Sequence, residues 1–131
     1  MKTFGFPKSE RLCSKKSIEK LFASGKNLFH YPVKALYFVD NNTAPENPLQ
    51  VLFVVPKKRF KHAVKRNRLR RQMREAFRHN KHSTLEWCQN NNLEVRIAFI
   101  YISSETVDFK VISNAIQNIL KAIPHSQTTD K

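Results

Sequence analysis

Twelve lysines and arginines fall between Lys57 and Lys81, with Glu75 as the one carboxylate among them. With Glu75 counted, the segment has a net charge of +11 out of the chain's formal +14. So dense a cluster repels itself, and the natural counterpart of such a surface is a polyanion. Fixed Lys and Arg side chains displace counterions from a phosphate backbone, so nucleic acid is the partner class that this chemistry fits. A merely solvated helix face would mix in acids to gain i, i+4 pairs, and Glu75 alone offers that here.

Other chemistry is poorly supplied. Two glycines in 131 residues leave no GxGxxG or P-loop to cradle a phosphate. The ten carboxylates form no DxD or ExxE pair for a catalytic metal. His79 and His82 lie close together with Cys88 six residues on, which falls short of the four suitably spaced ligands of a zinc centre. No serine sits in a nucleophile elbow. The residues therefore assign no catalytic side chain and no metal site to the protein. Cys13 and Cys88 match no CxxC pattern and read as free thiols in a reducing compartment. Met1–Arg11 lacks the apolar core of an export signal, and no run approaches the ~18 apolar residues of a membrane span. The expected location is the cytoplasm.

The elements that must present the cations are those of one domain, residues 1–131, with 1–10 and 125–131 as flexible tails. Forty per cent apolar residues, ten of them Phe, suffice for a single core. A short helix is expected over Ser14–Ser24, capped by Ser14 and stopped by Gly25, with Ile18, Leu21 and Phe22 at i, i+3, i+4. Those three are either all core or leave Phe22 bordering a groove. Asn27–Pro32 reads as a connector. Val33–Asp40 alternates as a strand, and Leu49–Val55 is apolar on both faces, as a central strand would be. The turn-rich Asn41–Pro48 between them suggests an antiparallel hairpin. The basic segment is a helix from about His62 to His79, extending at most through Leu85–Cys88. On it Leu69, Met73, Ala76 and Phe77 share a face. Arg66 and Arg70 flank that face; Arg71, Arg74 and Arg78 point away from it, and Arg68 lies to the other side. Leu93–Ile102 is a third strand. A last helix spans about Val107–Ile123, with Phe109, Ile112, Ile116, Ile119, Leu120 and Ile123 as its stripe and Pro124 as its stop. The legible order is α-β-β-α-β-α: an α+β two-layer sandwich, a small mixed sheet with helices packed on it.

A DNA-recognition helix would need a preceding helix across a tight turn, and an extended apolar run with Pro56-Lys57-Lys58 stands there instead. A basic leucine zipper would need following Leu heptads, which are absent.

Ala63-Val64-Lys65-Arg66-Asn67-Arg68-Leu69-Arg70-Arg71 resembles the A-V-x-R-N-R-(I/L)-(K/R)-R signature of the bacterial ribonuclease P protein family. The likeness continues through Arg74, Ala76 and Phe77. Upstream, Pro56-Lys57-Lys58 after a strand resembles that family's V-x-K-K, and Arg11-Leu12 with Phe22 and Gly25 resembles its N-terminal motif. The resemblance spans about residues 10–123. It implies the order α-β-β-(β)-α-β-α, one short strand more than is legible, with a left-handed crossover.

It also implies the protein subunit of an endonuclease whose RNA carries the chemistry. The partners would be the ribonuclease P RNA, one protein to one RNA, and the 5′ leader of precursor tRNA. Mg²⁺ would be needed by the RNA rather than held by the protein. On the matching positions, Lys57, Lys58, Lys65, Arg66, Asn67, Arg68, Arg70, Arg71 and Arg74 would bind RNA. The leader would lie in a cleft between the first helix (Ile18, Phe22) and the sheet. There, strand parity selects Leu36 or Tyr37, and Phe53 or Val55. Ile18 departs from a position often aromatic in relatives, and Phe60–His62 replaces a shorter Gly-Asn turn. The alternative is a ribosomal or general RNA-binding protein with no enzymatic partner.

Overall fold

The computed structural model describes residues 15–41 and 48–129. The elements are α1 (Lys15–Ser24), β1 (Lys26–His30), β2 (Val33–Asn41), β3 (Leu49–Val54), α2 (Ala63–Asn90), β4 (Leu93–Tyr101) and α3 (Phe109–Thr129). The strands form one four-stranded sheet in the order β1-β2-β4-β3. Strands β1 and β2 pair antiparallel, as do β2 and β4, while β3 runs parallel to β4. The expected cap at Ser14 and the motif residues Arg11 and Leu12 lie outside the described residues.

Two corrections to the expected fold follow. Residues 27–32 are not a bare connector: most of them form β1, the additional strand, and the Tyr31–Pro32 turn returns the chain into β2. Nor do β2 and β3 form a hairpin, because β4 lies between them. Strand β4 buries Val95, Ile97, Phe99 and Tyr101 on one side and Ala98 on the other, which only a central position allows. Strand β3 is therefore an edge strand despite its two apolar faces. The parallel β3–β4 pairing is possible because α2 supplies the long crossover that such a pair requires.

Each face of the sheet has its own cover. Helices α2 and α3 pack on the side bearing Val33, Ala35, Tyr37, Val51, Val95, Ile97, Phe99 and Tyr101. The helix stripes reach the same core through Leu69, Met73, Ala76 and Phe77 from α2 and Ile112, Ile116, Ile119, Leu120 and Ile123 from α3. Of the expected α3 stripe only Phe109 stays at the surface. Helix α1 covers the opposite side, where Leu21 and Ala98 are buried with Ile18, Leu36, Phe38 and Leu52 around them.

Both long helices outrun their expected ends. Helix α2 continues to Asn90 because its buried stripe continues through Lys81, Thr84 and Cys88 at spacings of three and four. Lys81, only 4% exposed, lays its aliphatic stem along the core. The helix stops where Asn92 takes φ 53°, a left-handed conformation that Asn tolerates. Burial pushes the Cys88 thiol up to about 12, so it stays protonated and inert in the folded chain. Helix α3 passes through Pro124 to Thr129, although a proline inside a helix removes one backbone hydrogen bond and crowds the carbonyl four residues earlier.

Gly25 sets how closely α1 approaches the sheet. Its N–H donates to the Leu21 carbonyl at 2.8 Å. A Cβ at this position would stand 2.4 Å from that same oxygen and 3.3 Å from the Tyr37 carbonyl. Gly25→Ala should therefore lift the end of α1 and cost ~1–3 kcal/mol, as overpacking does. Chemical denaturation checks this, and an unchanged midpoint would show that the helix end yields freely.

Candidate nucleic-acid interface

The first surface is the N-terminal half of α2. Its stripe faces the core, so the remaining circumference must carry the charge. Lys65, Asn67, Arg68, Arg70, Arg71 and Arg74 are all exposed, as are Lys57 and Lys58 in the loop before the helix. Arg70 donates to the Asn67 carboxamide oxygen, which orients both side chains along the surface. Further on, Glu75 accepts from Arg78 at 2.7 Å and pairs with His79 at 3.2 Å, so the one acid of the segment is already engaged.

Arg66 behaves differently from its neighbours. It is half-buried, and its Nη1 donates to the carbonyls of Phe60 at 2.8 Å and Lys61 at 2.9 Å. Phe60 is buried edge-on against Tyr101, with ring centroids 5.8 Å apart. Arg59 donates to the Ser104 hydroxyl at 3.3 Å. The loop that carries Lys57 and Lys58 is thus tied to the core by Phe60, to the segment after β4 by Arg59, and to α2 by Arg66. The unusual Phe60–His62 stretch supplies this aromatic anchor, and the helix begins after it, at Ala63.

The second surface lies on the α1 side of the sheet, and the register resolves the parity left open by the sequence. Leu36 faces α1. Tyr37 points the other way and is buried under α2 and α3. Phe53 also belongs to that opposite side, stacked on Phe99 at 5.6 Å and edge-on to Phe77 at 6.0 Å. Val55 is buried in the same core. Tyr37, Phe53 and Val55 therefore drop out as groove residues. Leu52 takes their place on β3, with Val54 two residues on.

Cross-strand neighbours project together, so the register defines rows on this face. One row, Asn27–Leu36–Ala98–Leu52, lies beneath α1. The next, Phe29–Lys34–Ile100–Val54, crosses all four strands, with Phe29 exposed and the other three half-buried. At ~4.8 Å per strand it spans about 14 Å. Phe29 is 57% exposed at its β1 end. Its β3 end leads within two residues to Pro56 and the basic loop.

On α1, Leu21 is 1% exposed and Phe22 49% exposed. Leu21 is the buried anchor, Ile18 packs partly against the sheet, and Phe22 flanks them at the surface. The Lys20 ammonium sits over the Phe38 ring at 4.3 Å. Sequence reasoning missed Phe29, Leu52 and Val54. A usable signal existed only for Phe29, an aromatic between Leu28 and His30 in a strand that itself went unrecognised.

Among the described residues these surfaces define a class: a small α+β protein with a partly exposed, mostly apolar row beside α1 on one side of its sheet and a cation-covered helix packed on the other. Among the described residues no group of three His, Cys, Asp or Glu stands close enough to hold a metal ion. Among the same residues no helix is long and apolar enough to cross a membrane.

The family model for ribonuclease P matches residues 6–124, and the chain belongs to this family, the protein subunit of an RNA-based endoribonuclease. A ribonuclease P protein component of Porphyromonas gingivalis is 39% identical over 118 residues, covering 90% of this chain and 85% of the relative. The corresponding protein of Chlorobium phaeobacteroides is 33% identical over 131 residues, with 93% and 90% covered. Among solved structures, the RNase P protein from Thermotoga maritima superposes with a TM-score of 0.66 at 28% identity, covering 87% of this chain and 97% of that one. The Staphylococcus aureus RNase P protein, at 20% identity, shares the fold with a TM-score of 0.66 over 86% of this chain and 94% of the other.

The Arg66 geometry yields a test. Arg66→Ala removes two hydrogen bonds from a charged donor, each of a kind worth about 1.5–3 kcal/mol. Amide exchange over residues 57–62 should accelerate while the α3 amides stay protected. Unchanged exchange in that loop would contradict the tie.

Proposed function

We propose that this protein binds the catalytic RNA of ribonuclease P through the exposed cations of α2 and its preceding loop, and receives the 5′ leader of precursor tRNA in the groove beside α1. The RNA cuts the leader to leave the mature 5′ end, using the divalent ions that it recruits, in the bacterial cytoplasm. The protein contributes positioning and electrostatics. Arg68, Arg71 and Arg74 offset phosphate repulsion where two RNAs approach each other. Lys57 and Lys58 extend that field to the β3 end of the row, because Pro56 stands two residues beyond Val54.

The observation that carries this reading is Phe22, held half-exposed on a helix whose neighbouring Leu21 is fully buried. An aromatic fixed by its scaffold yet open to solvent, on the helix that covers the same side of the sheet as the row Phe29–Lys34–Ile100–Val54, offers a stacking surface for single-stranded bases. Stacking is indifferent to base identity, which suits leaders of varied sequence.

Reconstitution of the chain with the catalytic RNA at low Mg²⁺ tests the proposal. The wild type should accelerate leader removal and favour precursor over mature tRNA. Phe22→Ala should lose ~1–3 kcal/mol of leader-dependent affinity, with the midpoint of unfolding preserved. Arg68→Ala should instead weaken catalytic-RNA binding and reduce its salt slope by about one. Tight but indiscriminate binding of any structured RNA, with no gain in cleavage, would favour a general RNA-binding protein.

A further inference from the structure

A second concave site lies between the C-terminal half of α2 and α3, a cavity of about 200 Å³. Its walls include His79, His82, Ser83 and Thr84 from α2 and Gln117 and Lys121 from α3. None of the lining residues is a carboxylate. Ser83, His82 and Lys121 are exposed at its mouth, while Thr84 is buried. Asn80 also borders it, but its amide nitrogen is committed to the Ala76 carbonyl at 2.8 Å and shapes the wall rather than serving a ligand.

The site is connected to the basic half of the helix. At ~100° per residue, Lys65, Arg68, Gln72, His79 and Ser83 fall on one flank of α2. Glu75, occupied by Arg78 and His79, and the exposed Glu86 also fall near this flank, but neither lines the hollow. The pocket residues begin eleven positions beyond Arg68, roughly 16 Å along the axis at ~1.5 Å per residue. Ser83, Thr84, His82, Gln117 and Lys121 bring hydroxyl, imidazole, carboxamide and ammonium groups to the lining of a hollow without a carboxylate, beyond the cationic half of the helix, and such groups match the chemistry of a phosphodiester.

We propose that this hollow holds one backbone phosphate of the catalytic RNA, giving α2 a second anchor beyond its arginine-rich half. The naming of the RNA rests on the function proposed above. The hollow itself rests on the α2–α3 geometry alone.

The test uses the full-length chain with the catalytic RNA and reads the dependence of affinity on salt between about 50 and 200 mM. Removing one phosphate contact should lower the slope of log affinity against log salt by about one. Lys121→Gln should do this, which leaves the variant roughly 3.5-fold less sensitive across that salt range. Ser83→Glu, which places a carboxylate at the mouth, should weaken binding further at low salt. Lys110→Gln, exposed on α3 but outside the hollow, should leave the slope unchanged. An unchanged slope for Lys121→Gln, or an equal drop for Lys110→Gln, overturns the proposal.

Titration of the free protein with inorganic phosphate, followed at the Ser83 and Thr84 amides, separates the ligand sources. Shifts there without any effect of Lys121→Gln on the RNA slope would mean free phosphate rather than RNA, and would also overturn it. If the wild type shows no preference for the catalytic RNA over an unrelated structured RNA, the proposed function fails. The slopes of Lys121→Gln and Lys110→Gln on either RNA still decide the hollow.

Discussion

Strand β4 is the constraint on which the rest of the molecule depends. It is apolar along one whole face and, at Ala98 and Ile100, on part of the other, so it reaches low free energy between two strands and beneath covers on both sides. Taking that place separates β2 from β3 and fixes the parity of both. Leu36 and Leu52 are sent to one side, Tyr37 and Phe53 to the other. Ala98, the smallest side chain in its row, leaves room for Leu21 of α1 to seat against the sheet. Gly25 then lets the chain pass from α1 into β1 without lifting the helix. The groove is what remains of this face once α1 has covered the row through Ala98.

Helix α2 resolves a conflict between burial and charge. Its stripe from Leu69 to Cys88 holds it on the core over most of its 28 residues, long enough to display cations that would otherwise repel the segment apart. Not every cation is displayed. Arg66 turns inward to two loop carbonyls and so determines where Lys57 and Lys58 stand. The RNR block thus combines a positioning arginine with exposed ones. Residue type alone does not distinguish these roles, since a guanidinium serves carbonyls and phosphates equally well.

Much of the fold was legible because its signals are periodic. The stripes of α2 and α3 and the alternation of β2 and β4 name most of the core. Strand β1 was not legible, because five residues at a sheet edge with two half-buried positions carry too little pattern. The order of strands was hidden for a different reason: a short link suggests a hairpin, whereas the pairing is set by which strand most needs two neighbours. Parity stayed open on both strands, because single polar residues such as Lys34 and Gln50 do not say which face of a sheet a helix covers. The loop role of Arg66 depends on Phe60, whose burial only the tertiary structure reveals.

The central claim is that single-stranded RNA lies on the α1 side of the sheet. Methyl-resolved NMR of the full chain, titrated with a leader oligonucleotide, tests it directly. The account predicts shifts at Leu36, Leu52, Val54 and Ile100, with Val51, Ile112 and Ile116 unmoved. Shifts confined to the α2–α3 side, or spread evenly over both faces, would contradict it.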